Sequence, residues 1–258
     1  MLKIDDYAYS NRLKHVHPAE KVGFVMTFLM FTIITKNVVI AMITFSVMSL
    51  SIVFAAKIPF SQYLKLLLLP SIFLFTSIAA ILVSIAPVYQ VNVDTIWFFT
   101  IKSWQIYISV ANINQAYQLL VTIIGSVSCL YFLILTTPLH QLIWVLRRLK
   151  LPVLFIELVG LTYRFIFVLL NKMHEIHLAQ SSRLGYQNHR LWISSIAHLI
   201  VSLFLKSIQS AKELQIAIDS RGGDMKLYEV ELSLSYNRYR CAGILVSIIG
   251  LFILTLNT

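Results

Sequence analysis

Two similar motifs, each centred on an arginine, are the part of this sequence best suited to bind a partner. They read Ser182-Arg183-Leu184-Gly185 and Ser220-Arg221-Gly222-Gly223, and their arginines lie 38 positions apart. A guanidinium pairs a carboxylate through two parallel hydrogen bonds, so an exposed arginine at a helix tip is suited to an acidic groove of another protein. A simpler hypothesis is a helix end, where the arginine complements the dipole and the glycine supplies a left-handed cap. Because the motif recurs at the ends of two consecutive predicted helices, we favour docking.

Metal binding is a second kind of chemistry that the sequence offers, and it is the weaker hypothesis. His174 and His177 are spaced i and i+3 beside Glu175 on a predicted helix, and imidazole is a ligand for nickel, cobalt and zinc. No third ligand is indicated, and the spacing differs from the His-Glu-x-x-His of zinc enzymes. A polar helix surface that faces a partner explains these residues better. We therefore expect no metal site, no cofactor and no catalytic residue.

The sequence lacks the groups that would power transport by this chain alone. It contains no Gly-x-x-x-x-Gly-Lys-Ser/Thr motif, whose backbone amides cradle ATP phosphates. An ion-coupled carrier places acidic residues inside its membrane spans. In this sequence, Asp94 falls outside the membrane spans that are predicted below. Glu157 lies near the start of a helix that is predicted to be cytoplasmic. An active transporter built on this chain needs a separate ATPase, so the chain is not expected to be an enzyme.

The composition decides which class of protein has to position these motifs. Of the 258 residues, 58% are hydrophobic and 12% are charged, against roughly 45–50% and about 25% in soluble domains. So few charged side chains cannot cover a soluble domain of this size, which excludes a soluble enzyme, a disordered chain and a fibrous protein. The sequence predicts an all-α integral membrane protein. We interpret the net charge of +10 as membrane topology and not as nucleic-acid binding.

Five membrane spans are predicted from apolar runs that are long enough to cross a bilayer. They lie near residues 19–35, 38–56, 64–86, 116–136 and 241–257. With the N-terminus in the cytoplasm, only Lys36 and Lys102 of the 21 lysines and arginines fall in outer pieces, which is a strong positive-inside signal. The first two spans are separated only by Lys36-Asn37 and must form a tight hairpin. We expect a multi-pass protein of the cell (inner) membrane.

The outer segment, residues 87–115, is predicted to contain a small extracytoplasmic hairpin. Residues 95–101 and 104–108 are rich in strand-forming residues, and Lys102-Ser103 lies between them like a turn. Anchoring of Trp97 and Trp104 at the level of the lipid headgroups explains the aromatic residues equally well.

Residues 138–240 form a long stretch that we interpret as cytoplasmic. Residues 139–150 predict a basic amphipathic helix at the membrane surface. Two helices of about 30 residues, roughly 45 Å each, follow near 152–183 and 190–221, and each ends at one arginine motif. The chain thus divides into a transmembrane region with four spans (1–137), a cytoplasmic coupling-helix region (138–240) and a C-terminal transmembrane helix (241–258).

Four stretches of the sequence carry a family pattern. They are Asp5–Arg12 with His17–Lys21, Thr136–Pro138 with Leu146–Pro152, Leu161–Phe165, and the two arginine motifs. They resemble the transmembrane (T) component of energy-coupling factor (ECF) transporters, and within it the cobalt/nickel type, the CbiQ/NikQ family. The resemblance extends over essentially the whole chain. In the family the motif is a small residue, Arg, then Ser or Gly. Ser220-Arg221-Gly222 fits it, whereas Ser182-Arg183-Leu184 departs at the third position.

The resemblance implies a coupling role and a set of partners. A T component lies in the lipid bilayer, binds two cytoplasmic ABC-type ATPase subunits and cradles a separate membrane substrate-binding (S) subunit. Closure of the ATPases would shift the coupling helices, and the S subunit would rotate to release its cargo, a cobalt or nickel ion. The residues expected to dock the ATPases are Ser182, Arg183, Ser220, Arg221 and Gly222.

Other residues are expected to have structural roles. Coupling or structural roles are expected for Pro138, Arg147, Arg148, Pro152 and Arg164. For Arg164 we expect a buried polar contact to another helix. A stripe of small residues, Gly243, Ser247 and Gly250, predicts close helix packing, with the S subunit as one candidate neighbour.

Two alternative functions stay open at this point. One is a T component that serves a vitamin or another micronutrient, because the cargo is chosen by another subunit. The other is a stand-alone secondary carrier or channel. A membrane-embedded enzyme has no set of residues in this sequence to support it.

Overall fold

The computed structural model describes residues 3–87, 95–101, 104–222 and 238–257, and most of them are helical. A 3-10 turn, Arg12–His15, follows α1, and a π-helical turn, Ser51–Ala55, follows α3. The elements are α1 Lys3–Ser10, α2 Pro18–Thr35, α3 Val38–Leu50, α4 Phe60–Leu68, α5 Ser71–Leu82, β1 Ser84–Pro87, β2 Thr95–Ile101, β3 Trp104–Ser109, α6 Val110–Thr136, α7 Leu139–Arg148, α8 Val153–Ser182, α9 His189–Asp219 and α10 Arg238–Asn257.

The chain forms two compact units. The bundle unit comprises Leu2–Leu139 and Ser233–Thr258, and the hairpin unit comprises His140–Leu232. In the bundle unit, α6 packs against α1, α2, α3 and α5, and α10 packs against α2 and α3. In the hairpin unit, α8 packs against α9.

The tight connection predicted between the first two spans is confirmed. α2 ends at Thr35, and Lys36 turns the chain in the left-handed conformation at φ 48°. The Asn37 side chain then caps α3 by accepting a hydrogen bond from the Val39 N–H at 2.9 Å, as an N-cap asparagine does. The buried hydroxyls of Thr32 and Thr44 join α2 to α3 at 3.0 Å.

The span predicted over residues 64–86 is a bent pair of helices, α4 and α5, and not one straight helix. The helix is broken after Leu68, and α4 and α5 meet at a bend of 42°. Pro70 explains the break, because proline lacks an N–H and clashes with the preceding turn. The helical part ends at Leu82, and Ser84–Pro87 is a strand.

The predicted hairpin is confirmed and gains a third strand. β2 and β3 pair antiparallel, from Ile101 opposite Trp104 to Thr95 opposite Ser109. β1 pairs with the other edge of β3, which makes the order β1-β3-β2. β1 was not predicted, because most of Ser84–Pro87 fell within the predicted third span. The predicted turn at Lys102-Ser103 lies outside the described residues.

Length and composition make this chain a helical, multi-pass membrane protein. Among the residues that the structure describes, five helical segments are long and apolar enough to span: Pro18–Thr35, Val38–Ala55, Val110–Thr136, Val153–Ser182 and His189–Asp219. The bent α4–α5 pair passes the same test as a sixth. The predicted last span corresponds to α10, whose apolar part is Val246–Thr255. Because α8 and α9 also pass this test, their cytoplasmic location stays a prediction.

The core of the bundle unit lies where α3 and α6 come close together. A Cβ atom on Gly125 would lie 3.0 Å from the Ala41 carbonyl oxygen, so glycine permits this approach. The Tyr63 hydroxyl lies 2.9 Å from Ser49 Oγ and donates to Ser128 Oγ at 3.1 Å. The surrounding buried side chains include Val25, Phe28, Ile40, Met48, Ile52, Cys129, Phe132 and Leu135.

Candidate functional site

The C-terminal end of α8 is a Schellman motif that exposes Arg183. The Gly185 N–H donates to the Gln180 carbonyl and the Leu184 N–H to the Ser181 carbonyl, both at 3.0 Å, which are the two bonds of that motif. The left-handed residue is Leu184 at φ 61°. The expectation that the glycine supplies the left-handed cap is therefore wrong at this end. A side chain in this conformation costs roughly 1–2 kcal/mol.

Gly185 instead allows the turn to lie close to α9, because glycine has no side chain. A Cβ atom at this position would lie 2.7 Å from Ser195 Oγ of α9 and 3.0 Å from the Gln180 carbonyl oxygen. A larger residue would therefore require the Ser195 side chain or the turn to shift. The glycine of the first motif thus allows the connection between α8 and α9 to be compact.

The second tip, at the end of α9, also has a left-handed residue directly after its arginine. The Arg221 N–H donates to the Ile218 carbonyl at 3.0 Å and the Gly222 N–H to the Asp219 carbonyl at 3.2 Å. Gly222 is left-handed at φ 98°. In both motifs the residue after the arginine is left-handed, so the departure at Leu184 changes the side chain and keeps the handedness of the backbone.

The two arginine side chains are exposed and are available to a partner. Within the described parts of the chain, neither guanidinium has a hydrogen bond or an ion pair. The adjacent serines are used internally, because Ser182 Oγ donates to the Leu178 carbonyl and Ser220 Oγ to the Ala217 carbonyl, each at 3.0 Å. The arginines and not the serines therefore present the free donors at each tip.

A separate cluster in the bundle unit anchors the start of the chain to the end of α6. Lys21 is 4% exposed, and its Nζ donates to the Thr136 carbonyl at 2.8 Å, where a cation complements the C-terminal end of a helix. Asn11 is buried too, and its Nδ2 lies within hydrogen-bond distance of three carbonyls, those of Tyr7 (3.0 Å), Ala8 (2.7 Å) and Leu135 (3.1 Å). Sequence reasoning singled out these stretches separately and did not bring them together.

A comparison with protein families decides the class of the molecule. The model of the family described as CbiQ, cobalt transport protein, matches residues 10–230 of this chain. The chain belongs to the CbiQ family. The family match includes both arginine tips, as well as Asn11, Lys21 and Thr136 of the buried cluster.

Several relatives share this CbiQ-type sequence. An uncharacterized protein of Methanocaldococcus jannaschii is 30% identical over 226 residues, which are 87% of this chain and 81% of the relative. A putative fused cobalt transport protein CbiMQ of Methanocorpusculum labreanum is 30% identical over 88% of this chain, which corresponds to 38% of the fused protein. The energy-coupling factor transporter transmembrane protein EcfT of Staphylococcus aureus is 35% identical over 35% of this chain and 35% of its own length.

The connection between α7 and α8 of this CbiQ-family chain differs in detail from the prediction. α7 ends at Arg148 and not at residue 150, and Lys150 is left-handed at φ 59°. Pro152 is the N-cap residue of α8 and not part of its first turn. Arg147 and Arg148 are exposed in the last turn of α7, and Pro138 is buried.

The environment of Arg164 differs from the buried one that was predicted. It lies within α8 and is exposed, so the expected buried polar contact is wrong. The reason is that α8 has few buried residues, of which Ile156 and Gly160 are the fully buried ones. An interruption of an apolar run marks burial only where another element covers that face.

The two glycines of the small-residue stripe on α10 have no close neighbours among the described residues. A Cβ atom on Gly243 or Gly250 would have nothing within 4 Å, while Ser247 is half-buried. Gly243 borders a cavity of about 240 Å³ whose lining includes Phe24 and Phe132. Close packing at these glycines does not occur within the described chain, and packing against the S subunit stays a prediction.

The histidines of α8 are engaged in a different way from a metal site. His177 Nδ1 lies 3.0 Å from the Tyr186 hydroxyl, and the two ring centroids are 4.7 Å apart. His174 is exposed. Across residues 3–87, 95–101, 104–222 and 238–257, no group of three His, Cys, Asp or Glu side chains is placed to hold a metal ion.

The environment of His17, at the N-terminal end of α2, predicts that the stability of the protein depends on pH. Its Nδ1 accepts a hydrogen bond from the Ala19 N–H at 3.3 Å, which requires an unprotonated Nδ1. Burial lowers the pKa of His17 below its usual 6.5, and the nearby Glu20 offsets this only in part. The unfolded chain then binds more protons, so the stability is complete above about pH 6.5 and falls as the pH drops below that value.

The check is the melting temperature in detergent between pH 8 and pH 5. His17→Asn is the matched control, because asparagine is a good N-cap that does not titrate. As the pH falls, the melting temperature of the wild type should decrease more than that of His17→Asn. Parallel curves for the two proteins would rule out this role of His17.

Proposed function

We propose that this chain is the membrane-embedded coupling (T) subunit of an ATP-driven, ECF-type importer. The observation that carries the proposal is the pair of exposed arginines, each followed by a left-handed residue at the end of a long helix. Neither side chain has a partner among the described residues. Membership of the CbiQ family and the similarity to a protein named as an ECF transporter transmembrane protein support the same function.

Under this proposal, Arg183 and Arg221 each dock into an acidic groove on one of two cytoplasmic ABC-type ATPase subunits. An arginine suits such a groove because its planar group pairs a carboxylate with two hydrogen bonds. The hairpin unit then carries the movement of the ATPases to the membrane, and the chain itself catalyses nothing. The proposal requires both tips on the cytoplasmic side of the cell (inner) membrane, and the positive-inside rule favours the same side for the N-terminus.

A second membrane protein, the S subunit, would bind the cargo beside this chain. The relative whose name describes a fusion supports such a partner, since this chain matches only 38% of its length. The open glycines of α10 leave room for a neighbouring helix. The names of the family and of the fused relative make cobalt the first candidate cargo, with nickel as the chemically similar second.

The experiment is reconstitution in liposomes of this chain with its ATPase and S subunits. We expect Co²⁺ or Ni²⁺ uptake that needs both ATP and all the subunits. ATP-dependent uptake of a vitamin and not of these ions would favour the alternative cargo class. Uptake by the chain alone without ATP would establish a secondary carrier and end the proposal.

A further inference from the structure

The first arginine tip is tied to α9 by hydrogen bonds that docking itself does not require. The Tyr186 hydroxyl donates to Gln180 Oε1 at 2.6 Å, and Gln180 Nε2 donates to the Ser195 carbonyl at 3.0 Å. Ser195 Oγ in turn donates to the Gly185 carbonyl at 2.8 Å. These bonds join the last turns of α8, the connecting turn and the second turn of α9.

The donors and acceptors in this network are mutually consistent. The Ser195 carbonyl only accepts, so the amide nitrogen of Gln180 must face it and the amide oxygen must face Tyr186. The single hydroxyl proton of Tyr186 goes to that oxygen. His177 Nδ1 then carries the proton that it donates to the Tyr186 oxygen, over 3.0 Å. Each of these hydrogen bonds thus joins one donor to one acceptor, and linked bonds of this kind between two helices restrain their relative motion.

Gln180 is the centre of the network, because it holds both the arginine tip and α9. Its main-chain carbonyl accepts from the Arg183 N–H at 3.2 Å and from the Gly185 N–H at 3.0 Å. Its side chain bonds α9 through Ser195. Gln180, Gly185, Tyr186 and Ser195 are half-buried, whereas most of their neighbours in sequence are exposed.

The second tip has a different support. The Gln215 side chain donates to Asp219 Oδ1 at 3.0 Å, and Ser220 Oγ donates to the Ala217 carbonyl at 3.0 Å. These bonds stay within α9 and its end. Within the part of the chain that the structure describes, the second tip has no hydrogen bond to another helix.

We propose that Gln180, Tyr186 and Ser195 are positioning residues that make the Arg183 tip and the start of α9 move as one body. A pull on Arg183 would then reach α8 and α9 together, whereas a pull on Arg221 would reach the far end of α9 alone. This inference rests on the proposed function, since it assigns the route by which a docked ATPase moves the hairpin unit.

The test compares Gln180→Leu and Tyr186→Phe with Gln215→Leu, a matched control that removes a glutamine bond within α9 alone. Ser195→Ala is the milder fourth variant, which deletes one bond and creates no steric conflict. Spin labels at the exposed residues Leu178 and Leu191 report, on the full chain alone, how the end of α8 moves relative to the start of α9. The reconstituted complex reports ATPase affinity, ATP hydrolysis and cargo uptake.

We expect the distance distribution between the labels to broaden in the three network variants and not in Gln215→Leu. ATPase affinity should stay within about twofold, while uptake per ATP hydrolysed falls about five- to tenfold, the lower range of coupling between linked sites. An unchanged distribution overturns the proposal, and so does a broadened distribution with unchanged uptake per ATP. If the wild-type chain binds no ATPase, the proposed function fails and this inference fails with it.

Discussion

Replacing Arg221 with glutamate is expected to abolish assembly with the ATPase subunits and ATP-driven uptake, while the chain still enters the membrane. The arginine is exposed and has no partner among the described residues, so its removal leaves no group of the chain unsatisfied. Loss of one partner of a docked charge pair costs about 2–5 kcal/mol, or roughly 30- to 4,000-fold in affinity. A residue that merely ends a helix would cost at most about 1 kcal/mol. Co-purification of the ATPases and uptake in liposomes measure the difference.

Lys206→Glu is the matched control for this charge reversal. It makes the same change in net charge at an exposed position of the same helix, fifteen residues before the tip. Arg183→Glu should lower ATPase binding in the same direction as Arg221→Glu, and the double variant should lower it further. Normal uptake by Arg221→Glu, with the protein present in the membrane fraction, would refute the docking role.

Replacing Asn11 with aspartate is expected to destabilise the bundle unit more than any other isosteric change at a single polar residue considered above. The Asn11 side chain is 5% exposed and its amide nitrogen faces three carbonyl oxygens, all within 3.1 Å. Aspartate has the same shape, but it places an oxygen where these acceptors need a donor. An uncompensated buried charge costs about 3–5 kcal/mol, so we expect a large loss of melting temperature or of folded protein.

Asn37→Asp tests whether the effect belongs to the site. Asn37 caps α3 by accepting a hydrogen bond from the Val39 N–H, and aspartate accepts this bond as well as asparagine does. The melting temperature in detergent should therefore fall for Asn11→Asp and stay near the wild-type value for Asn37→Asp. Similar melting temperatures for the wild type and Asn11→Asp would contradict the donor role of Asn11.

Much of the fold follows from local patterns. Apolar runs predicted α2, α3 with the π-helical turn that follows it, and the C-terminal end of α6, because crossing a bilayer requires a minimum length of apolar residues in one segment. α6 begins earlier than predicted, at Val110 and not near residue 116. The spacing of strand-forming residues predicted β2 and β3, and Lys36-Asn37 was too short for anything except a tight turn. The two arginine motifs were found in the same way, since each combines a helix end with a charge that the helix does not need.

The errors arise where a local pattern has two structural solutions. Residues 66–86 are mostly apolar, but Pro70 breaks the helix and β3 takes Ser84–Pro87 as a partner strand. At the first tip both Leu184 and Gly185 were able to close the helix. Leu184 takes the left-handed conformation, while Gly185 lies close to Ser195 of α9, and no sequence pattern around residue 184 contains that contact. The interruption by Arg164 suggested burial, but no described element covers it.

The sequence by itself determined that this is a membrane protein, where most of its apolar helices lie, and which two arginines lie at helix ends. These properties depend on hydropathy and on neighbours within a few residues. Only the tertiary structure decided that Asn11 meets the Leu135 carbonyl, 124 positions away, and that Gln180 joins an arginine tip to α9. A buried polar side chain takes the partner that packing brings within about 3 Å, and packing is a property of the whole chain.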